Sequence, residues 1–490
     1  MSTQIPETVA AESITDWSDE VDVVVAGFGI AGGCAAVEAA TRGARVLVLE
    51  RAGVAGGTTA LAGGHFYLGG GTAVQQATGH TDSVEEMYKY LLSVARDPEP
   101  DKIRAYCEGS VEHFDWLESL GFEFERSYYP EKAVIQPGTQ GLMYTGNEKV
   151  WPYREQAVPA PRGHKVPVPG DTQGAAMIID LLVKRAATLG VEVRYETGVT
   201  NLVVDADGAV VGVEWKSLGT GSSKRTGAVK AKSVVLAAGG FVMNTDMVAE
   251  NVPWLTEKPF VLGTPFDDGL GIRLGVSAGG VTRMMDQAFV TAPVYPPSKL
   301  LTGIVVNHKG ERFVAEDSYH ARTSAYVLDQ PGAIAYLIVD SEHMERPMFP
   351  LAPFIDGWET VEEMAAALGI PAETLRSTLD RYNENAARGE DPDFHKAAEW
   401  LQPQDQGPWA AFDLTLGKAL YAGFTLGGLR TSVDSEVLRD NGSPIPGLYA
   451  AGATASTLAQ DGKGYSSGTQ LGAGSFFGRR AGRHAASRSN

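Results

Sequence analysis

An α/β architecture, with a buried parallel sheet feeding a glycine loop, is predicted for this chain of 490 residues from three features of residues 21–50. Residues 22–26 (DVVVA) are a short β-branched run suited to a strand buried on both faces. Gly27, Gly29 and Gly32 follow in G-x-G-x-x-G spacing and open a stretch of small residues fit for a helix packed on a sheet. Residues 45–49 then read as a second buried strand, which ends on Glu50.

Each part has a physical reason. Gly27 permits the tight turn, Gly29 lets backbone approach a pyrophosphate, and Gly32 brings helix and strand together. The first helical residues, Ile30 and Ala31, present free N–H groups and the positive dipole end to phosphates. Glu50 lies about 20 residues past the glycines, where a carboxylate accepts from a ribose hydroxyl. Strand, helix, second strand and terminal acid together predict a dinucleotide site. Arg51 and then Gly56, Gly57, Thr58, Thr59, Gly63 and Gly64 form a second small-residue run able to fold back over the same nucleotide.

Length and composition bound the rest. A chain of 490 residues is too long for one ordinary core, so two domains are expected. Lys+Arg 41 against Asp+Glu 60 gives a net charge of −19, and basic runs are absent, so nucleic acid and anionic membrane are not expected partners. The 58 glycines suit loops that approach a cofactor closely. Cys34 and Cys107 cannot build a disulfide framework or a metal site, and no metal is expected. The first twenty residues lack a basic start and an apolar core, so no signal peptide is expected. No apolar run reaches about 18 residues, so no membrane span is expected, and the expected location is the cytoplasm.

Further along, apolar residues at helical spacing predict helices within 83–120, stopped by Gly121. Residues 128–170, rich in proline and glycine, read as a long lid-like loop in which Tyr144, Trp151 and Tyr153 either line a pocket or anchor the loop. Asp171 or Thr172 is expected to cap a helix running to Leu189. Strands follow at 191–195, 199–204 and 209–215, and residues 233–241 (SVVLAAGGF) read as a buried strand running into glycines.

The run E-R-x-G-x-x-G-G-T-T-A-L-A-G-G over residues 50–64 resembles the flavoprotein family of succinate dehydrogenases, fumarate reductases and 3-ketosteroid dehydrogenases. Four further stretches resemble family motifs in family order: residues 233–241, residues 268–280, I-V-V-N-x-x-G-x-R-F at 304–313 and G-L-Y-A-A-G at 447–452. The resemblance implies FAD in a Rossmann-like domain made of two segments, 1–281 and 409–490, with an inserted α+β capping, catalytic domain at 282–408. It implies cofactor contacts from Val199, Ala237, Ala238, Gly239, Gly452, Gly468, Thr469 and Leu471 besides the residues above. Covalent members carry a histidine about where Thr58 stands, so non-covalent FAD is implied. The family's acid or asparagine after the last G-L-Y-A-A-G is replaced by Ala453.

Tyr319 and Tyr465 occupy segments that the resemblance brings together over the flavin. Tyrosine hydroxyls suit a neutral ketone and a proton relay rather than two carboxylates. The pattern is similar to the 3-ketosteroid dehydrogenases, with Y-S-S-G at 465–468 where Δ1 members show Y-P-G-P-G. This implies desaturation of a 3-keto-5α-steroid at C4–C5, with the proton leaving C4 and a hydride passing from C5 to flavin N5. Tyr465 is the expected donor to the ketone oxygen. Residues two apart in an extended segment share a side, so Ser467 rather than Ser466 is expected to take the C4 proton, with Tyr319 passing it on. Δ1 desaturation, a fumarate-type reduction and a flavoprotein that only carries electrons stand as alternatives, and the electron acceptor is unknown. His65 and His320 read as packing residues, and Arg322 as a salt-bridging one.

Overall fold

The β-branched runs pair as a sheet buried on both faces. Asp19–Ala26 lies parallel to Val46–Leu49, and Val23, Val24, Val25, Leu47 and Val48 expose no surface. Glu192–Arg194 continues the sheet on one side, and Thr226–Leu236 followed by Pro444–Ala450 on the other, all parallel. The register sets Ala26, Leu49, Leu236 and Ala450 level with one another. Gly27, Glu50, Ala237 and Ala451 therefore emerge side by side at the carboxyl edge, where open α/β sheets bind ligands. The computed structural model describes residues 3–134, 136–170, 173–219, 225–256, 259–295, 297–456, 458 and 460–488.

Thr226–Leu236 joins the parallel and antiparallel parts of one nine-stranded sheet. Its first half pairs antiparallel with Val210–Ser217, which pairs in turn with Thr197–Val204. The β element expected from 191 to 215 is thus two strands long, because Glu192–Arg194 joins the parallel layer instead.

Helix Ile30–Thr41 is buried from Ile30 to Ala39 between its flanking helices Ala176–Thr188 and Thr469–Ser487. The last helix crosses it at backbone distance: a Cβ at Gly478 or Gly482 would lie 2.4 Å from the Ala31 carbonyl oxygen or 2.2 Å from that of Ala35. The predicted cap at Asp171 or Thr172 lies outside the described residues; the helix itself begins at Ala176, after Ala175. The helical stretch 83–120 is two helices, Val84–Val94 capped by Ser83 and Pro100–Glu118, which starts on its proline.

Residues 128–170 are not a free lid. Glu125–Tyr128, Gln140–Met143 and Gly163–Lys165 join His65–Tyr67 in a four-stranded sheet. Beneath it, Arg162 and Asp82, both fully buried, pair at 2.7 Å. Tyr144, Trp151 and Tyr153 anchor this region: Trp151 packs at a tilt against His395, and Tyr153 meets Tyr90 edge-on. None of the three lines the cavity described below.

The cap is built on a second four-stranded sheet, in the order Ile304–Asn307, Ala335–Asp340, Trp409–Asp413, Phe354–Trp358. Helices Val361–Leu368 and Ala372–Ala387 cover one face through Met364, Leu375, Leu379 and Tyr382. Trp409–Asp413, expected beyond the cap, hydrogen-bonds into its centre, so the expected boundary at 408 cuts through the sheet. The lattice below is ionic: Arg312 forks onto Glu316 at 2.8 Å and Asp391 at 3.0 Å, and Lys396 reaches Glu316 at 3.4 Å, all four nearly fully buried. This fixes the turn that carries Tyr319 into helix His320–Leu328.

Candidate active site and cofactor cleft

One cavity runs along the carboxyl edge of the parallel sheet and reaches Leu262, Phe424, Tyr465 and Ser467. At its sheet end, Gly27 has φ +101°, and a Cβ there would meet the Ala237 carbonyl oxygen at 2.5 Å. Gly32 does not line the cavity; a Cβ on it would lie 2.0 Å from the Gly27 oxygen, so it sets how closely helix and strand approach. Gly29 differs. Beyond its chain neighbours a Cβ would meet only Thr59 Oγ1 at 3.4 Å and the Gly56 oxygen at 3.8 Å, so this position is kept bare for something in the cleft.

The N-cap of the helix that starts at Ile30 is Gly29, which has no side chain to offer, and Ile30 N–H donates to Thr59 Oγ1 at 3.1 Å. Ile30, Ala31, Thr58, Thr59, Gly57, Gly63 and Gly64 all face the cavity. Glu50 stands at the adjoining strand end, its two oxygens accepting from Phe28 N–H and Ala52 N–H at 2.7 Å each. Burial raises its pKa against the pull of those amides. Val199, Ala237, Ala238 and Gly239 close one wall, and Gly452 with Ala453 another. Arg51 also lines the cleft, but its guanidinium is engaged by Asp268 through two bonds of 3.0 and 2.9 Å.

The sequence reading missed a carboxylate here. Asp267 lines the cavity and accepts from the Thr58 hydroxyl, from Thr264 N–H at 2.9 Å and from Gly240 N–H at 3.2 Å. Burial raises its pKa against these bonds. Phe266, Leu262 and Phe424 were also missed. They sit in stretches whose motifs are carried by neighbouring glycines and acids.

At the far end the last helix begins at Gly468, φ +93°, again with glycine as its N-cap. Gly468 and Leu471 line the cavity, whereas Thr469 turns inward and donates to the Ser466 carbonyl oxygen at 2.7 Å. Tyr465 and Ser467 face the cavity. Ser466 does not; its hydroxyl bonds Tyr90 Oη at 3.0 Å. Tyr319 stands behind Ser467, the two hydroxyls 2.7 Å apart although 148 residues separate them in sequence. Tyr465 packs against Phe289 and Phe424, with its ring 6.5 Å from that of Tyr319. Burial pushes the Tyr465 phenol well above its ordinary value, which keeps it a hydrogen-bond donor.

Two neighbours behave differently from each other. His320 is buried and bonds Thr291, and burial, helped by Lys132, pushes its pKa down to about 3. Arg322 has no ion-pair partner among the described residues: its guanidinium lies over the rings of Tyr153 at 4.8 Å and Tyr326 at 5.5 Å. His65 lines the cavity beside the Gly63–Gly64 turn.

The cleft suits FAD. It offers a bare Gly29, a helix start and an acid at the strand end for a dinucleotide, then a second helix start for the ring. The FAD binding domain family model matches residues 22–475. A solved 3-ketosteroid-Δ4-(5α)-dehydrogenase from Rhodococcus jostii RHA1, in complex with 4-androstene-3,17-dione, is 42% identical with a TM-score of 0.90. That alignment covers 98% of this chain and 99% of the other. The 3-oxo-5-alpha-steroid 4-dehydrogenase of Comamonas testosteroni is 30% identical over 91% of this chain and 94% of its own. A vinyl phenol reductase of Lactiplantibacillus plantarum is 28% identical over 96% and 97%. Fold, cleft and relatives agree, and this chain belongs to the FAD-binding flavoprotein family that contains the 3-ketosteroid dehydrogenases.

Proposed function

We propose that this chain is a 3-ketosteroid dehydrogenase that removes hydrogen across C4–C5 of a 3-keto-5α-steroid. The observation that carries this reading is the Ser467–Tyr319 hydroxyl pair, 2.7 Å apart, at the cavity end that Tyr465 also lines. Bound FAD supplies the two-electron acceptor for the hydrogen leaving C5. The protein's own groups handle the rest. Tyr465, held protonated by burial, donates to the C3 oxygen and stabilises the negative charge that gathers there as the C4 proton leaves. Ser467 Oγ accepts the C4 proton while its hydroxyl proton passes to Tyr319 Oη, which releases its own phenolic proton towards solvent, so that both hydroxyls end neutral. Ser466 has no access to the substrate because Tyr90 holds it from behind.

A dicarboxylate substrate fits poorly. Among the described residues lining the cavity, Arg51 is the one guanidinium, and Asp268 occupies it. The walls near Tyr465 are instead Leu262, Phe424 and Leu471, as an apolar ring system needs. We also take the FAD to be non-covalent, since Thr58 is bonded to Asp267 where covalent relatives carry histidine. The cap is taken to extend from 282 to the end of the Trp409–Asp413 strand.

The test is anaerobic reduction of the enzyme's flavin by a panel of 3-ketosteroids, with product identification. A 5α-3-ketosteroid should bleach the flavin and yield the 4-ene product. A 1-ene product would make Δ1 desaturation the activity; bleaching by none of the ketones would remove steroids as substrates.

A further inference from the structure

The hydroxyl pair is held together by a third segment, residues 145–147, which no motif singles out. Ser467 N–H donates to the Thr145 carbonyl oxygen at 2.8 Å, and Thr145 Oγ1 donates back to the Ser467 carbonyl oxygen at 2.9 Å. Ser467 is thus gripped on both its backbone groups by one residue. Asn147 Oδ1 accepts from Tyr319 N–H at 2.9 Å, and its Nδ2 donates to the Lys463 carbonyl oxygen at 3.4 Å. Its own N–H donates to Tyr90 Oη at 2.8 Å, which leaves the Tyr90 proton for Ser466 Oγ at 3.0 Å. Between the two, Gly146 is pressed so close that a Cβ would lie 2.1 Å from Ser466 Oγ.

This segment is rigid for a visible reason. Glu148, 1% exposed, accepts from Gly146 N–H and from Tyr67 Oη at 3.0 Å each. Thr145 and Asn147 are themselves 4% and 0% exposed, and neither lines the cavity.

We propose that residues 145–147 form a clasp that sets the Ser467–Tyr319 distance, with Thr145 and Asn147 as positioning residues of the reaction. One holds the serine from the final loop, and the other holds the tyrosine from the cap. The clasp ties the backbone of the Tyr319 turn and that of the final loop to one rigid segment, and an ångström of drift at a reacting geometry costs up to about 10²-fold in rate. The proposal rests on the relay reading above.

The test measures single-turnover flavin reduction by a 5α-3-ketosteroid, together with steroid binding followed by the flavin absorbance shift. Thr145→Val, which keeps the branched shape and loses the hydroxyl, should slow reduction about tenfold and leave binding within about threefold. Thr145→Ser should restore the rate to within about threefold of the parent. Asn147→Ala should cost about tenfold or more in the parent and less than about threefold in a Tyr319→Phe background, where no hydroxyl remains to be placed. Equal losses in both backgrounds, or a serine variant as slow as valine, would overturn the clasp and leave a merely structural segment. If Asn147→Ala does not accumulate as a flavoprotein, the valine–serine pair at 145 decides. A Tyr319→Phe enzyme as fast as the parent would instead sink the relay reading itself, a result distinct from either.

Discussion

The two ends of the cleft are built by opposite means. The sheet end is made of backbone: helix amides, bare glycines and one carboxylate at a strand terminus, all from segments that begin level on neighbouring strands. The other end, which we take to lie under the cap, is made of side chains: Tyr465 and Ser467 from a final loop with Tyr319 behind them, set among Phe289 and Phe424. Backbone recognition tolerates little change of residue type at a few positions and is indifferent elsewhere. Side-chain chemistry depends on hydroxyls whose removal leaves the fold intact. Substitutions at the two ends should therefore fail differently.

The largest effect belongs to the sheet end. Gly29→Val should abolish FAD retention, because the side chain occupies the space kept for the pyrophosphate. Since a Cβ there meets only Thr59 Oγ1 at 3.4 Å and the Gly56 oxygen at 3.8 Å, the variant should fold as the apoprotein, with a Tm close to that of the flavin-stripped parent. Full flavin content per polypeptide after gel filtration would break the comparison at its root. FAD released by denaturing the parent should leave a colourless precipitate, as expected for non-covalent binding.

At the capped end, Tyr465→Phe should keep its FAD and lose roughly 10²–10³ in rate, as for loss of an oxyanion donor. Product binding should weaken as well. Ser467→Ala should still bind the 4-ene product while failing to reduce flavin, and Ser466→Ala should reduce it far faster than Ser467→Ala does. The opposite order of the two serines would reverse the assignment made from their hydrogen bonds. Tyr319→Phe should lose most activity; a rate within about threefold, a difference under roughly 1 kcal/mol, would remove it from the relay.

The smallest effect separates the two ends by acid. Glu316 and Asp391 feel burial first, which opposes their charge, but Arg312 outweighs it and holds both below ordinary carboxylate values. Their stabilisation is complete above the unfolded values near pH 4 and is lost as pH falls through and below them. Glu50 and Asp267 are shifted the other way by burial, so they give no such loss on acidification of the apoprotein. Hydrogen exchange should thus show the cap sheet and the Tyr319 turn loosening before the parallel sheet as pH drops below about 4. Asp391→Asn should flatten that dependence. Uniform loosening would deny the difference.

The same contrast explains what could be read from the chain. The nucleotide end was legible because its strand, glycines, helix and acid fall within one contiguous run, and Gly27 and Gly32 have steric reasons found again in the fold. The capped end was legible only through family positions, since Tyr319 and Ser467 are 148 residues apart. Residues 128–170 read as a lid because strands of three or four residues, paired with distant partners, carry no periodicity. Asn147 was invisible for the same reason: its role is one hydrogen bond to a residue 172 positions away. Arg322 was misread because sequence shows a charge but not whether its neighbour is an acid or a ring.

The glycine stripe on the last helix has one further consequence. Because Gly478 and Gly482 let that helix rest on the backbone of Ile30–Thr41, the two helices behave as a single stiff caliper. Its jaws are their two starts, each a centre of positive potential, opened to a gap that backbone contact sets. A ligand is gripped by both jaws only if its phosphates and its electron-accepting ring span that gap. A mononucleotide should then bind the apoprotein more weakly than FAD, because it can engage one helix start and leave the other empty.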